Sequence, residues 1–257
     1  MVKMILTDLD HTLLRSDGTI SNNTIETLQK CQNAGIPIAI ATARYLIGAE
    51  RYIEQVKPDF QITTDGTLVH SKEECLYSCE FSVEETNQII TALKSIIPHT
   101  EITVAAGKTV YWNSKHISDS DKLYKAVYCE YNTALNCRAN KIVAELPQEE
   151  LAIKIANQIN CKLQSYRGEN WYAFLPMASG KITAITALAK KCSLQLADIV
   201  AFGDDKNDIE MLSACGIGVA VSNAIPEVLS IADDVTDSND ADGVAKWLIK
   251  NVFRKEG

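Results

Sequence analysis

Asp8 and Asp10 stand two residues apart at the end of a short apolar run, Met4-Ile5-Leu6. On an extended strand residues i and i+2 share a face, so these two carboxylates reach toward one point if the strand continues. Carboxylates brought together repel unless a cation or a proton lies between them. The pair therefore asks for a metal ion, with further ligands from elsewhere in the chain. Thr42 and Arg44 follow a second apolar run, Lys181 opens a helical stretch, and Asp204, Asn207 and Asp208 follow a third run, Ile199-Val200-Ala201-Phe202. A hard cation such as Mg²⁺ prefers oxygen ligands and keeps several waters, so Asp8, Asp204 and the backbone carbonyl of Asp10 make an adequate half-shell. A carboxylate can also attack phosphorus to form an aspartyl phosphate that water then cleaves. A second carboxylate placed to protonate the leaving oxygen and then activate water fits Asp10. Mg²⁺, Lys181, the Thr42 hydroxyl and backbone amides would supply the positioning and charge neutralisation that phosphoryl transfer needs.

These residues must be delivered by regular elements. Ser21 is placed to cap a helix whose apolar positions Ile25, Leu28 and Cys31 recur every three residues, with Gly35 as its stop. A buried strand is expected over 36–41, a helix over 45–56 ending before Pro58, and a third strand over 60–63 running into Thr64-Asp65-Gly66-Thr67. Strand and helix in alternation indicate a parallel sheet with right-handed crossovers. The rhythm returns near Lys181, with a helix, the strand over 199–202, a strand over 218–221 and closing helices near 226–231 and from 242. Candidate groups fall repeatedly at the C-terminal ends of strands, where open parallel sheets bind ligands.

Between about 68 and 177 the pattern differs. A hairpin is expected around Lys72-Glu73-Glu74, then a helix opened by the capping box Ser82-Val83-Glu84-Glu85, and strands over 102–105, 109–112 and 141–146. A helix over 148–159 and strands near 162–166 and 171–175, around the Gly168-Glu169-Asn170 turn, complete it. Hairpins with helices make an α+β unit, so the fold class expected is α/β, with a core of residues 1–67 and 178–257 interrupted by an inserted second domain over 68–177.

Taken in order, Asp8-Leu9-Asp10-x-Thr12, Ala41-Thr42-x-Arg44, Lys181 opening a helix, and Gly203-Asp204-x-x-Asn207-Asp208, continued by Gly218-Val219-Ala220-Val221-x-Asn223-Ala224, resemble the haloacid dehalogenase superfamily of phosphatases and, within it, the Cof-like sugar-phosphate phosphatases. The resemblance spans the whole core and implies a Rossmann-like sheet in which Asp8 is the nucleophile and Asp10 the acid and base. It also implies that Thr42 and Lys181 hold phosphate, that Asn207 lies near it, and that metal is bound through Asp8, Asp10 and Asp204 with Asp208 in an outer shell. Substrate contacts are expected from Leu9, Thr42, Ala43, Arg44, Lys181 and Asn207, and the insert is expected to be a large cap that selects the substrate. This chain departs from the usual pattern with His11, Ala43, Ile182 and Asp65-Gly66-Thr67. None of these removes a catalytic group; His11 is read as a flap side chain facing solvent or packing on the cap, with a direct substrate contact as the alternative.

Composition excludes other classes. With 46% hydrophobic and 23% charged residues the 257-residue chain is ordinary for a globular protein, and a net charge of -8 without a basic stripe argues against nucleic acid. No apolar run approaches the roughly 18 residues of a membrane span, and the eight cysteines form no CxxC pair, as in a cytosolic, reduced protein. The expectation is a monomeric, cytoplasmic, Mg²⁺-dependent phosphatase of a small phosphorylated metabolite. A phosphomutase, a receiver domain and a silent sugar-phosphate sensor are the rival readings. His70, His99 and His116 are expected at the surface or in hinges, Tyr111, Trp112, Trp171 and Tyr172 in sheet packing, and the acidic tract over 233–242 as a loop and helix cap.

Overall fold

The computed structural model describes residues 2–72, 74–114, 126–166 and 169–253. The chain divides into two compact units, Met1–Ala43 with Ala49–Tyr77 and Gly180–Gly257, and Arg44–Gly48 with Ser78–Ser179.

In the first unit β1 (Met4–Thr7) lies at the centre of an eight-stranded sheet. Parallel to it run β2 (Ile38–Ala41) on one side and β12 (Ile199–Gly203) on the other, with Leu6 opposite both Ala39 and Ala201. β3 (Phe60–Thr63), β13 (Ile217–Val221) and β14 (Asp234–Thr236) extend the parallel order. Strands covered on both faces carry continuous apolar runs rather than alternation, which is how the sequences MILT, IAIA and IVAFG read and how they are buried. Helices α1 (Asn22–Asn33), α2 (Leu46–Val56) and α5 (Lys181–Lys191) are amphipathic, and the Ser21 side chain accepts from the Thr24 amide at the start of α1. Short helices α6 (Ile209–Ala214), α7 (Pro226–Ile231) and α8 (Gly243–Leu248) close the unit. Leu6, Leu9, Ile40, Leu28 and Phe202 are fully buried in its core.

The sheet reaches further than expected. β4 (Leu68–Ser71) pairs antiparallel with β3, and β5 (Glu74–Ser78) follows it at the sheet edge. Residues 68–77 thus belong to the first unit, not to the insert expected from 68, because buried Leu68 and Val69 continue the core through backbone pairing. On that strand His70, expected at the surface or in a hinge, is 5% exposed and lies opposite Gln61. β14 falls within the acidic tract expected as a loop; its sequence DVT carries no periodic signal, and pairing with β13 alone makes it a strand.

The second unit has its own sheet, of order β10-β11-β9-β6-β7-β8, built from β6 (Ile102–Ala106), β7 (Thr109–Trp112), β8 (Val127–Tyr128), β9 (Lys141–Glu145), β10 (Lys162–Ser165) and β11 (Trp171–Leu175). Helices α3 (Val83–Ile96) and α4 (Glu149–Ile159) supply Ile89, Leu93 and Ile155 to a core with Ile102, Ile142 and Phe174. The segment Arg44–Gly48 joins this unit through Tyr45, whose hydroxyl is 2.7 Å from Thr103 Oγ1. The two-residue β8 was not expected from sequence. Glu73, His116 and Gly168, which take part in the expected turns and histidine placements, lie outside the described residues. Among those described, no helix is long and apolar enough to cross a membrane.

The expected capping box is formed: Ser82 Oγ accepts from the Glu85 amide at 3.1 Å and Glu85 Oε2 accepts from the Ser82 amide at 2.7 Å. Ser82→Ala is expected to cost about 1 kcal/mol, read as faster amide hydrogen exchange in the first turn of α3.

Candidate active site

Asp8 is the first residue beyond β1 and Asp204 the first beyond β12. Because these strands are parallel neighbours, with Thr7 opposite Phe202, both carboxylates emerge at the C-terminal end of the sheet. The Asp8 amide donates to the Phe202 carbonyl at 2.9 Å, which carries the pairing one residue past the strand. Lys181, first residue of α5, donates from Nζ to Asp8 Oδ1 and to Asp208 Oδ1, each at 2.6 Å. The other Asp208 oxygen accepts from the Asp204 and Asp205 amides at 3.0 and 3.2 Å. Thr12 completes the cluster, donating from Oγ1 to Asp204 Oδ1 at 2.7 Å.

Two glycines make this packing possible. A Cβ on Gly203 would lie 2.6 Å from Asp208 Cβ, and one on Gly66 would lie 2.4 Å from the Gly180 carbonyl carbon. Gly66 also has φ +77°, a conformation side chains disfavour. Through these close approaches the β12 turn seats Asp208, and the loop after β3 abuts the residue that precedes Lys181.

All of these charges are buried. Burial raises the Asp8 carboxyl pKa well above its usual range; Lys181 opposes that rise, while Asp208 and Asp204 add to it. Burial likewise pushes Asp204 up to about 6, against the Thr12 hydrogen bond. For Lys181, burial works against the charge, but the carboxylates of Asp208 and Asp8 outweigh it and keep the ammonium protonated far into the basic range.

Asp8, Asp204 and Asp208 each offer an oxygen within 4.8 Å of the others. Three carboxylates against one ammonium leave a formal surplus of two negative charges in a buried space. This donor set fits a hard divalent cation: all oxygen, anionic, and costly to bury without one. Asp208, with both oxygens engaged by Lys181 and backbone amides, is suited to orienting the cluster more than to binding metal itself.

The remaining candidates are placed as follows. Thr42, 1% exposed, is the first residue beyond β2; its amide donates to the Ile62 carbonyl and its carbonyl accepts from the Asp65 amide. Leu9 is buried, and its carbonyl accepts from the Leu13 and Leu14 amides, turning the chain directly after Asp8. Ala43 is the last residue of its segment of the first unit, whereas Arg44 groups with the second, its Nη1 donating to the Gly48 carbonyl at 3.4 Å. Asn207 lies half-buried in the 3-10 turn Lys206–Asp208. The Asp10 carboxylate is not among the three clustered ones, and His11 after it has φ +57°.

The family model of haloacid dehalogenase-like hydrolases matches residues 5–248, nearly the whole chain. The chain belongs to that family. This hydrolase is 26% identical over 258 residues to the 5-amino-6-(5-phospho-D-ribitylamino)uracil phosphatase YitU of Bacillus subtilis (strain 168), covering 95% of this chain and 96% of that protein. Its fold is similar to that of a haloacid dehalogenase-like hydrolase from Bacteroides thetaiotaomicron, with TM-score 0.83, 23% identity, and coverage of 97% and 99%. It is also similar to a solved sugar phosphatase of haloacid dehalogenase subclass IIB, with TM-score 0.82, 22% identity, and coverage of 97% and 98%. The parallel-sheet core expected from the motifs is therefore the fold of the hydrolase.

Thr12, Gly203 and Gly66 stand within the sequence motifs, but the motifs give them no work to do. A hydroxyl four residues after the first acid, and glycines beside two of the acidic motifs, were the available signals; only the packing distances show their use.

Gly203→Ala is expected to displace Asp208 and lower phosphatase turnover by about 100-fold, the scale of an ångström-size misplacement, in a protein whose circular dichroism is unchanged. Asp204 binds its proton more tightly folded, at about 6, than unfolded, at about 3.9. Its contribution to the stability of the metal-free protein is thus complete below pH 4 and lost as pH rises through about 6. Thermal unfolding in EDTA should show this decline, and added Mg²⁺ at pH 7 should raise the midpoint.

Proposed function

We propose that this haloacid dehalogenase-type phosphatase is Mg²⁺-dependent and hydrolyses a small phosphorylated metabolite, a sugar phosphate first among them, through an aspartyl phosphate on Asp8. The observation that carries the reading is the buried cluster in which Asp8 shares the Lys181 ammonium with Asp208 beside Asp204. A carboxylate with one oxygen fixed by an ammonium keeps the other available to attack phosphorus.

In the first half-reaction Asp8 forms the bond to phosphorus while the ester oxygen departs, taking a proton from the Asp10 carboxyl. In the second, Asp10 accepts a proton from water, which attacks the aspartyl phosphate, releasing inorganic phosphate and restoring Asp8. Lys181, the Thr42 hydroxyl, Asn207 and the backbone at Leu9, Ala43 and Arg44 are assigned to holding the phosphoryl oxygens. Asp8, Asp204 and the Asp10 carbonyl would hold Mg²⁺, which when bound neutralises phosphoryl charge. The unit containing Ser78–Ser179 is assigned the selection of substrate, as a cap inserted in the core.

The likeness to a subclass IIB sugar phosphatase supports a sugar phosphate. YitU, named for a phosphorylated ribitylamino uracil, supports testing phosphorylated sugar alcohols as well. A phosphate-release screen over sugar phosphates, nucleotides and cofactor phosphates with Mg²⁺ tests the proposal, and absence of turnover throughout would refute it. Isomer exchange without phosphate release would identify a phosphomutase instead.

Asp8→Asn is expected to abolish turnover of p-nitrophenyl phosphate. Asp10→Asn should lose most turnover yet keep more Mg²⁺ affinity than Asp8→Ala, as measured by calorimetry. Equal loss of metal binding in the two variants would make them paired ligands.

A further inference from the structure

The loop after Asp10 is held by two asparagines to which the reaction assigns nothing. Asn223, beyond β13, donates from Nδ2 to the His11 carbonyl at 2.8 Å. Its Oδ1 accepts from the Asn239 amide at 2.9 Å, and Asn239 Nδ2 donates to the Leu14 carbonyl at 2.8 Å. Asn239 is 5% exposed, so both ends of its side chain's span lie within packed structure, whereas Asn223 faces solvent. Two more bonds continue the seam: Arg15 Nη2 donates to Asp242 Oδ1 at 2.7 Å, and the Ser16 amide donates to Asp240 Oδ1 at 2.8 Å. From the other side the loop is fixed by Thr12, which donates to Asp204.

The seam has a geometric task. His11 sits at φ +57°, in the left-handed region that residues with a side chain adopt uncommonly, histidine more readily than most, so its surroundings decide how firmly the turn is held. The Asn223 amide is the group on the His11 carbonyl itself. Without it the turn keeps the bonds to the Leu9 carbonyl and from Thr12 on either side but loses the fixed direction of the His11 carbonyl, and because the φ of His11 orients the Asp10–His11 peptide, loosening there re-aims Asp10. Water can replace Asn223 on an exposed carbonyl at little cost in stability, but water does not fix the direction of that carbonyl.

We infer that Asn223, backed by Asn239, is a positioning residue for Asp10: it holds the left-handed turn at His11 that aims the Asp10 carboxyl at the leaving oxygen. This rests on the reading of Asp10 as acid and base. Asp240 and Asp242, together with Asn223 and Asn239, then form the anchorage of the catalytic loop.

The test compares p-nitrophenyl phosphate, whose leaving group needs little protonation, with phenyl phosphate, which needs it. The parameter is kcat/KM, which covers steps only through transfer to Asp8. For the full-length Mg²⁺ protein, Asn223→Ala and Asn223→Asp, which keeps the acceptor but loses the donor, are both expected to lower kcat/KM for phenyl phosphate by about tenfold or more beyond any loss with p-nitrophenyl phosphate, within the range general acid catalysis supplies. The melting temperature should stay close to that of the parent protein. Parallel losses on the two esters, or no loss on either, would overturn the inference, because a merely structural residue cannot discriminate leaving groups. Asn239→Ala should show the same discrimination, more weakly. If the unsubstituted protein hydrolyses neither these esters nor any compound of the phosphate-release screen, the phosphatase reading itself fails and this inference with it, an outcome distinct from parallel losses in an active enzyme.

Discussion

Lys181 is the group on which the site depends. Its ammonium is divided between Asp8 and Asp208, both nearly inaccessible to solvent. Removing one partner of such a buried arrangement leaves charges unpaired, at a cost of roughly 3–5 kcal/mol. Its position is fixed less by side-chain contacts than by backbone proximity: α5 starts where the Gly66 loop leaves no room for a Cβ. One lysine cannot neutralise three carboxylates, however, and that deficit suits the cluster to a divalent cation. The cluster is consequently strained in charge but not in hydrogen bonding, since Asp208 is satisfied on both oxygens and Asp204 holds the Thr12 hydroxyl.

Around this centre the parallel sheet works as a register device. β1 and β12 place Asp8 and Asp204 side by side because Thr7 and Phe202 are opposite each other. A slip of one residue would turn each carboxylate to the other face. The loops beyond the strand ends then divide the labour. The β12 loop folds back so that Asp208 caps its own preceding amides, the loop after β3 supports Lys181, and the loop after β1 is tied to the far edge of the sheet through Asn223, Asn239 and the aspartates near Asp242. Residues that look like generic loop composition in one dimension are, in three, the supports of the chemistry.

Much of this was legible in the sequence. The apolar runs ending in Asp8, Thr42 and Asp204 revealed strands and their functional ends, since a strand buried on both faces must be apolar until it leaves the sheet. The Ser82 capping box, the helices and the separate α+β rhythm of the insert were readable for the same local reason. What escaped were features without local signal: the short strands β8 and β14, the burial of His70, and residues 68–77, which read as part of the insert but pair with the core sheet.

The sequence by itself determined which groups were available: paired carboxylates, a lysine and the apolar strands that carry them, because residue type and short-range spacing are local properties. Tertiary structure alone decided how those groups share the work. That Lys181 bridges Asp8 to Asp208, that Thr12 serves Asp204, and that Asn223 reaches back to His11 are contacts between residues 27 to 212 positions apart. No period or motif encodes such pairings. They arise when strand register and glycine-permitted close approaches bring the loops into one buried space, where an unpaired charge or polar group is too costly to leave.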